Sequence, residues 1–137
     1  MNRTKGFTLI EILLVVAIIS SLALMIIPRL TGRSEKAKEA IAKADILTNI
    51  PTALKLYELD NGFFPTTDQG LKALLVKPNT NPVPPVWGGP YLERKSLKDP
   101  WGRDYIYKCP GTHGIDYDLY SLGKTGQDDE TNIVNWE

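Results

Sequence analysis

Three hydrophobic textures follow one another along the chain. From Phe7 to Ile27 it reads FTLIEILLVVAIISSLALMII, with Glu11 the single charge. As a helix rising ~1.5 Å per residue, this run spans roughly 32 Å, the thickness of a bilayer core of about 30 Å. Pro28 closes the run, and Gly32 follows shortly after. Proline removes a helical N–H and clashes with the carbonyl one turn back, so a kink or break is expected at the membrane boundary.

The second texture is amphipathic. Ser34 to Asn61 is rich in Ala, Lys and Glu, with Ile41, Ala44, Leu47, Ile50, Leu54 and Tyr57 at three- and four-residue steps. This predicts a helix with one face to be covered, stopped by Asn61-Gly62. Pro51 interrupts the stripe. It predicts either a bend or a break into two helices, and the phase of Leu47, Ile50, Leu54 and Tyr57 favours the bend.

The third texture begins at Gly62. Pro78, Pro82, Pro84, Pro85 and Gly88-Gly89-Pro90 make residues 77–90 a long irregular loop. Asp68 to Val76 predicts a short helix capped by Thr67 or Asp68, with Leu71, Leu74 and Leu75 inward. Asp104 to Lys108 and Tyr117 to Ser121 are rich in β-formers and predict two strands, joined by a loop through Cys109 to Gly114. A small antiparallel sheet of this kind is not stable alone and must pack on the helix. The expected class is therefore α+β.

Charge decides how the first run is read. Arg3 and Lys5 precede it, which orients the N-terminus to the cytoplasm and the rest outward. A secretory signal has a shorter apolar core and a small-residue cleavage site, and Pro28-Arg29-Leu30 provides none. A plain anchor leaves Glu11 unexplained, since charged residues at the bilayer centre cost about 2.5–3.5 kcal/mol on insertion scales. A buried soluble helix would show a polar face, and this run has none.

Little other chemistry is written in the chain. Its 16 basic and 16 acidic residues balance, which argues against a nucleic-acid surface. Cys109 is the only cysteine, so an intrachain disulfide and a cysteine zinc site are excluded. His113 is the only histidine, and no G-x-x-x-x-G-K-[ST] loop is present, so hydrolase, metalloprotease and ATPase readings have no support. The chain is expected not to be an enzyme.

Lys5-Gly6-Phe7-Thr8-Leu9-Ile10-Glu11 resembles the leader junction of type IV pilins and pseudopilins. The resemblance implies cleavage between Gly6 and Phe7 by a prepilin peptidase, and N-methylation of Phe7. It divides the chain into a leader (1–6), a transmembrane and assembly helix (7–28) and a periplasmic head with the rest of the long helix (29–137). It also gives Glu11 a role in assembly, paired with the N-terminal amine of a neighbouring subunit. Amine and carboxylate are each costly alone in lipid and neutralise each other only in the correct stagger.

Further stretches resemble the major pseudopilins of type II secretion. They are Tyr57-Glu58-Leu59-Asp60-Asn61-Gly62-Phe63-Phe64-Pro65-Thr66-Thr67-Asp68-Gln69-Gly70-Leu71, Asp99-Pro100-Trp101-Gly102-Arg103-Asp104-Tyr105, and Asn135-Trp136. This implies a pilin-like fold and a structural subunit that polymerises with itself into a periplasmic filament for protein export. The implied setting is the inner membrane, single-pass. Minor pseudopilins and an inner-membrane assembly platform are the implied partners. The alternative is a type IV pilin subunit for adhesion, motility, DNA uptake or extracellular conduction.

Gly123 to Trp136 reads GKTGQDDETNIVNW. Taken alone it is either a solvated acidic loop or a calcium site, since calcium takes six to eight oxygens. The resemblance implies a Ca2+ site in this loop. Asp128, Asp129 and Asn132 are the expected side-chain ligands, with backbone carbonyls near Leu119 and Ser121. The chain departs from the family pattern: Thr125 precedes Gly126 where an aspartate is usual. Thr131 and Asn132 stand where a pair of acids is usual if Ile133 and Trp136 anchor the comparison, and the loop is slightly short. The other reading is a lost site, with Asp128, Asp129 and Glu130 as surface charges and Trp136 pinning the tail.

Overall fold

The computed structural model describes residues 6–95 and 97–137, which form two compact units divided at Lys36–Ala37. Arg3, Lys5 and the rest of the leader ahead of Gly6 lie outside the described residues.

The first unit is helical. Helix α1 runs from Leu9 to Ala44, and its first part, Leu9–Ile26, is long and apolar enough to cross a membrane. None of that stretch is buried within the chain. A helix apolar on every side needs lipid or other protein around it. Ser20 and Ser21 return their hydroxyls to the carbonyls of Val16 (2.7 Å) and Ile18 (3.0 Å), so neither hydroxyl faces hydrocarbon unmet. The break considered at Pro28 does not occur: α1 continues through it. One lost N–H bond leaves the hydrogen-bond ladders on both sides intact.

In the second unit, α1 passes into a π turn, Asp45–Asn49, and then helix α2, Ile50–Asn61. The chain stays helical through Pro51, so the break into two separate helices does not occur. Pro51 stands in the first turn of α2, where its missing N–H costs least, and the turn before it is widened so that the Ile50 N–H reaches the Asp45 carbonyl. The wider turn also corrects the predicted stripe. Ile41, Ala44 and Leu47 are exposed, and Ala42, Asp45 and Ile46 are buried in their place, followed by Ile50, Leu54 and Tyr57 as expected. Four-residue steps from Ala42 to Leu54 keep one face on the core where a regular helix would drift. Gly62 ends α2 in the left-handed conformation, φ 83°, with its N–H on the Glu58 carbonyl at 2.7 Å.

The segment after α2 forms a 3-10 turn, Leu71–Leu74, shorter than the helix predicted over Asp68 to Val76. Neither Thr67 nor Asp68 caps it: its N-cap position is Gly70, with no side-chain cap, and a Thr66–Gln69 pair closes the turn just before it. The Thr66 hydroxyl accepts from the Gln69 N–H (3.3 Å), and the Gln69 side-chain oxygen accepts from the Thr66 N–H (3.2 Å). Leu71, Ala73 and Leu74 are buried and Leu75 is half-buried. The irregular loop over 77–90 is tied down by polar groups. Gln69 donates to the carbonyls of Thr80 (2.9 Å) and Pro82 (3.0 Å), Trp87 Nε1 donates to the Ala73 carbonyl (2.9 Å), and Asn61 Oδ1 accepts from the Val86 N–H (3.2 Å).

Strands β1 (Ile106–Lys108), β2 (Asp118–Ser121) and β3 (Ile133–Val134) form an antiparallel sheet in that order, with Tyr107 opposite Leu119 and Ser121 opposite Ile133. The first two were predicted; β3 was not. Tyr105, Tyr107, Leu119 and Ile133 close the core over Ile46, Ile50, Leu54 and Tyr57. The class is α+β, as expected.

Candidate functional site

Gly6 and Phe7 precede α1 without regular structure. Both are exposed, Phe7 at 79%. A Cβ built on Gly6 meets nothing within 4 Å, so packing within the chain does not require the glycine. At the first turn Thr8 and Glu11 cap α1 reciprocally. The Glu11 N–H donates to Thr8 Oγ1 (3.3 Å), and the Thr8 N–H makes a long contact to Glu11 Oε2 (3.5 Å). This is a Thr-x-x-Glu capping box, legible in the sequence and missed there. It places the carboxylate at the positive end of the helix dipole, on the side where the cut would leave a new amine.

The C-terminal loop joins the predicted calcium ligands in two separate groups. Asp128 Oδ1 accepts from Asn132 Nδ2 (2.6 Å). Asp129 Oδ1 accepts from the Thr131 N–H (2.8 Å) and hydroxyl (2.5 Å), and its Oδ2 accepts from the Thr125 hydroxyl (3.0 Å). These bonds, Thr131 first, hold the Asp129 carboxyl below its ordinary range. Leu119 and Ser121 are engaged in the sheet: the Leu119 carbonyl accepts from the Asn135 N–H (3.1 Å), and Ser121 pairs with Ile133. Among the described residues, Asn132 Oδ1 is buried without a donor.

A positive charge is already present at this loop. Arg103 Nη2 donates to the Gly123 carbonyl. The guanidinium also lies against Gly126, where an added Cβ would stand 2.9 Å from Nη1 and 3.0 Å from Cζ. Among the described residues, no group of three His, Cys, Asp or Glu side chains could hold a metal. Both Asp129 oxygens are engaged by its own loop and the Arg103 guanidinium lies on the Gly123 carbonyl, so the expected side-chain ligands bond within the loop and do not converge on one cation position.

Two buried carboxylates were not singled out from sequence. Asp45 takes both guanidinium nitrogens of Arg94 (2.6 and 2.8 Å), the Tyr105 hydroxyl (2.9 Å) and Asn49 Nδ2 (2.8 Å). Burial alone raises its pKa, but the hydrogen bonds from Arg94, Asn49 and Tyr105 prevail and hold it below the usual range. Asp118 is wrapped by the turn before β2. It accepts from the Thr112 N–H (2.9 Å) and hydroxyl (2.6 Å) and the His113 N–H (3.3 Å), with His113 Nδ1 at 3.0 Å. Here too burial opposes, and the bonds from Thr112 and His113 lower the pKa to about 2. The His113 ring stacks on Trp136, centroids 3.9 Å apart. Trp136 thus pins the tail through His113 and through an edge contact to Tyr120. A buried aspartate has no periodic signature, so neither site was visible in the pattern.

Comparison with known proteins extends over nearly the whole chain. A family model for type II secretion system protein G matches residues 29–136, and one for a prokaryotic N-terminal methylation motif matches residues 1–27. The chain is 46% identical to the type II secretion system core protein G of Pseudomonas aeruginosa, covering 99% of this chain and 97% of that one. It is 45% identical to that of Vibrio cholerae (99% and 94%) and 40% identical to that of Escherichia coli K12 (98% and 92%). Its fold is similar to the crystal structure of the major pseudopilin from the type 2 secretion system of enterohaemorrhagic Escherichia coli. That match has a TM-score of 0.68 at 38% identity and covers 78% of this chain and 89% of that one.

Proposed function

The chain belongs to the type II secretion system protein G family and is a structural subunit of the secretion pseudopilus; on that premise we propose how it is processed, anchored and assembled. A prepilin peptidase cuts between Gly6 and Phe7 and methylates Phe7. The apolar part of α1 anchors the subunit in the inner membrane as a single pass, with the head in the periplasm. The subunit then polymerises with itself, on an inner-membrane assembly platform and below a tip of minor pseudopilins. It acts by assembly and not by catalysis.

The observation that carries this reading is an apolar helix unburied throughout, with one carboxylate in its first turn. Lipid satisfies the apolar side chains, but not Glu11. Among the described residues its contact is the long one to the Thr8 N–H, which leaves the carboxylate able to take the Phe7 amine of a neighbour as subunits stagger.

Mass spectrometry of the native protein tests the processing: a chain beginning at Phe7 with one added methyl group is expected, and an intact leader rules the scheme out. Deletion tests the setting. Export of folded periplasmic enzymes should stop. Normal export with loss of surface pili would reassign the subunit to a type IV pilus.

A further inference from the structure

We infer that Arg103 is the cation that closes the C-terminal loop, so that the head folds and holds its shape without calcium. The inference concerns the head alone and stands whether or not the assembly scheme holds.

Residues 123–132 contain no apolar side chain, so burial cannot fix this loop. What fixes it comes from the turn over 99–103. Asp99 is buried, and its Oδ1 accepts from the N–H groups of Trp101 (3.0 Å) and Arg103 (2.8 Å). Its Oδ2 accepts from the Ser121 hydroxyl (2.7 Å), while Ser121 Oγ accepts from the Gly123 N–H (3.1 Å). The turn is thereby locked to the end of β2. From it the guanidinium reaches past Asp99 Oδ2, 4.0 Å from Nε, to the Gly123 carbonyl. One cation thus sits beside a buried carboxylate, its buried Nε without a hydrogen bond of its own among the described residues, and donates to a backbone carbonyl of the loop; carboxylate and carbonyl are the donor types a divalent ion gathers. Unlike an ion, the guanidinium is attached to the chain, and its charge does not titrate away.

The loop is shaped to receive it. Gly126 has φ 70° and lies so close to the guanidinium that any Cβ would displace it. The Gly126 N–H closes a turn onto the Leu122 carbonyl at 3.1 Å. The Thr125 hydroxyl donates to Asp129 Oδ2 at 3.0 Å.

The test uses the full-length protein in detergent micelles. Its melting midpoint should be the same in millimolar calcium chloride and in chelator, and calcium titration should release no binding heat. Arg103→Gln should lower the midpoint by at least about 4 °C. It should also speed amide exchange across residues 122–132 at least tenfold, while α2 exchanges as before. A calcium-dependent rise in the midpoint of the unaltered protein overturns the inference. So does an Arg103→Gln protein with unchanged midpoint and unchanged loop exchange. If Arg103→Gln does not fold, Arg103→Lys takes its place: it keeps the charge but loses the planar fork, and a tenfold faster loop exchange is again expected.

Discussion

The two units handle their acids in opposite ways. In the head, Asp45, Asp99 and Asp118 are buried, and each is met from several sides by donors of the same chain. In the first unit, Glu11 lies among exposed apolar side chains with one long contact to a backbone amide. The head's acids hold its fold together because their demand is met inside it. Glu11 has demand left over, and a group of that kind on an apolar helix serves a contact still to be made.

Stability of the head grades this contrast. The largest effect is expected for Arg94→Ala. It strips Asp45 of its bidentate partner and should cost about 2–3 kcal/mol in urea unfolding, below the usual range for a buried pair because Arg94 is partly exposed. A cost no larger than that of a surface substitution would remove Asp45 from the set of acids that hold the fold.

Acid should reveal Asp118 next. Its folded pKa is depressed to about 2. Its contribution is therefore complete above the unfolded value near 3.9 and is lost as pH falls from there toward 2. The loss should be about 2 kcal/mol between pH 5 and pH 2. Asp118→Asn should flatten that limb of the stability profile, and an unaltered limb would contradict the assignment.

Tyr57 tests the converse. Among the described residues its buried hydroxyl has no partner, while its ring makes edge contacts with Phe63 and Tyr91. Tyr57→Phe keeps the ring and removes the unmet group, so it should raise stability by about 1 kcal/mol. The smallest effect belongs to Glu11→Ala: no shift in the head's melting midpoint, with strongly reduced filament yield in cells. A destabilised head, or normal filaments, would erase the contrast between the units.

Periodicity made much of the architecture legible. The apolar run, the amphipathic helix, two strands and the irregular loop follow from it directly. What it missed has local causes. The buried face came out one residue wrong before Pro51, because a 3.6-residue rule cannot see a π turn. Strand β3 has only Ile133 and Val134, too short for alternation to register. The Thr8–Glu11 cap and the Thr66–Gln69 pair were present as spacings and were passed over. Arg103 could not be found from the loop's own sequence. It comes from a turn some twenty residues earlier, and its reach is set by Asp99 holding that turn against β2.

The π turn has a genetic reading as well. It carries one residue more than a regular turn, and a helix advances about 100° per residue. Deleting Thr48, whose side chain is exposed, would let the turn tighten and swing the residues before it, so that Ala42 leaves the core face for a neighbour of different size or charge. Among the described residues of the head, a single-codon deletion there should be far less tolerated than one in the irregular loop over 77–90. The reading frame of the core is kept in one widened turn.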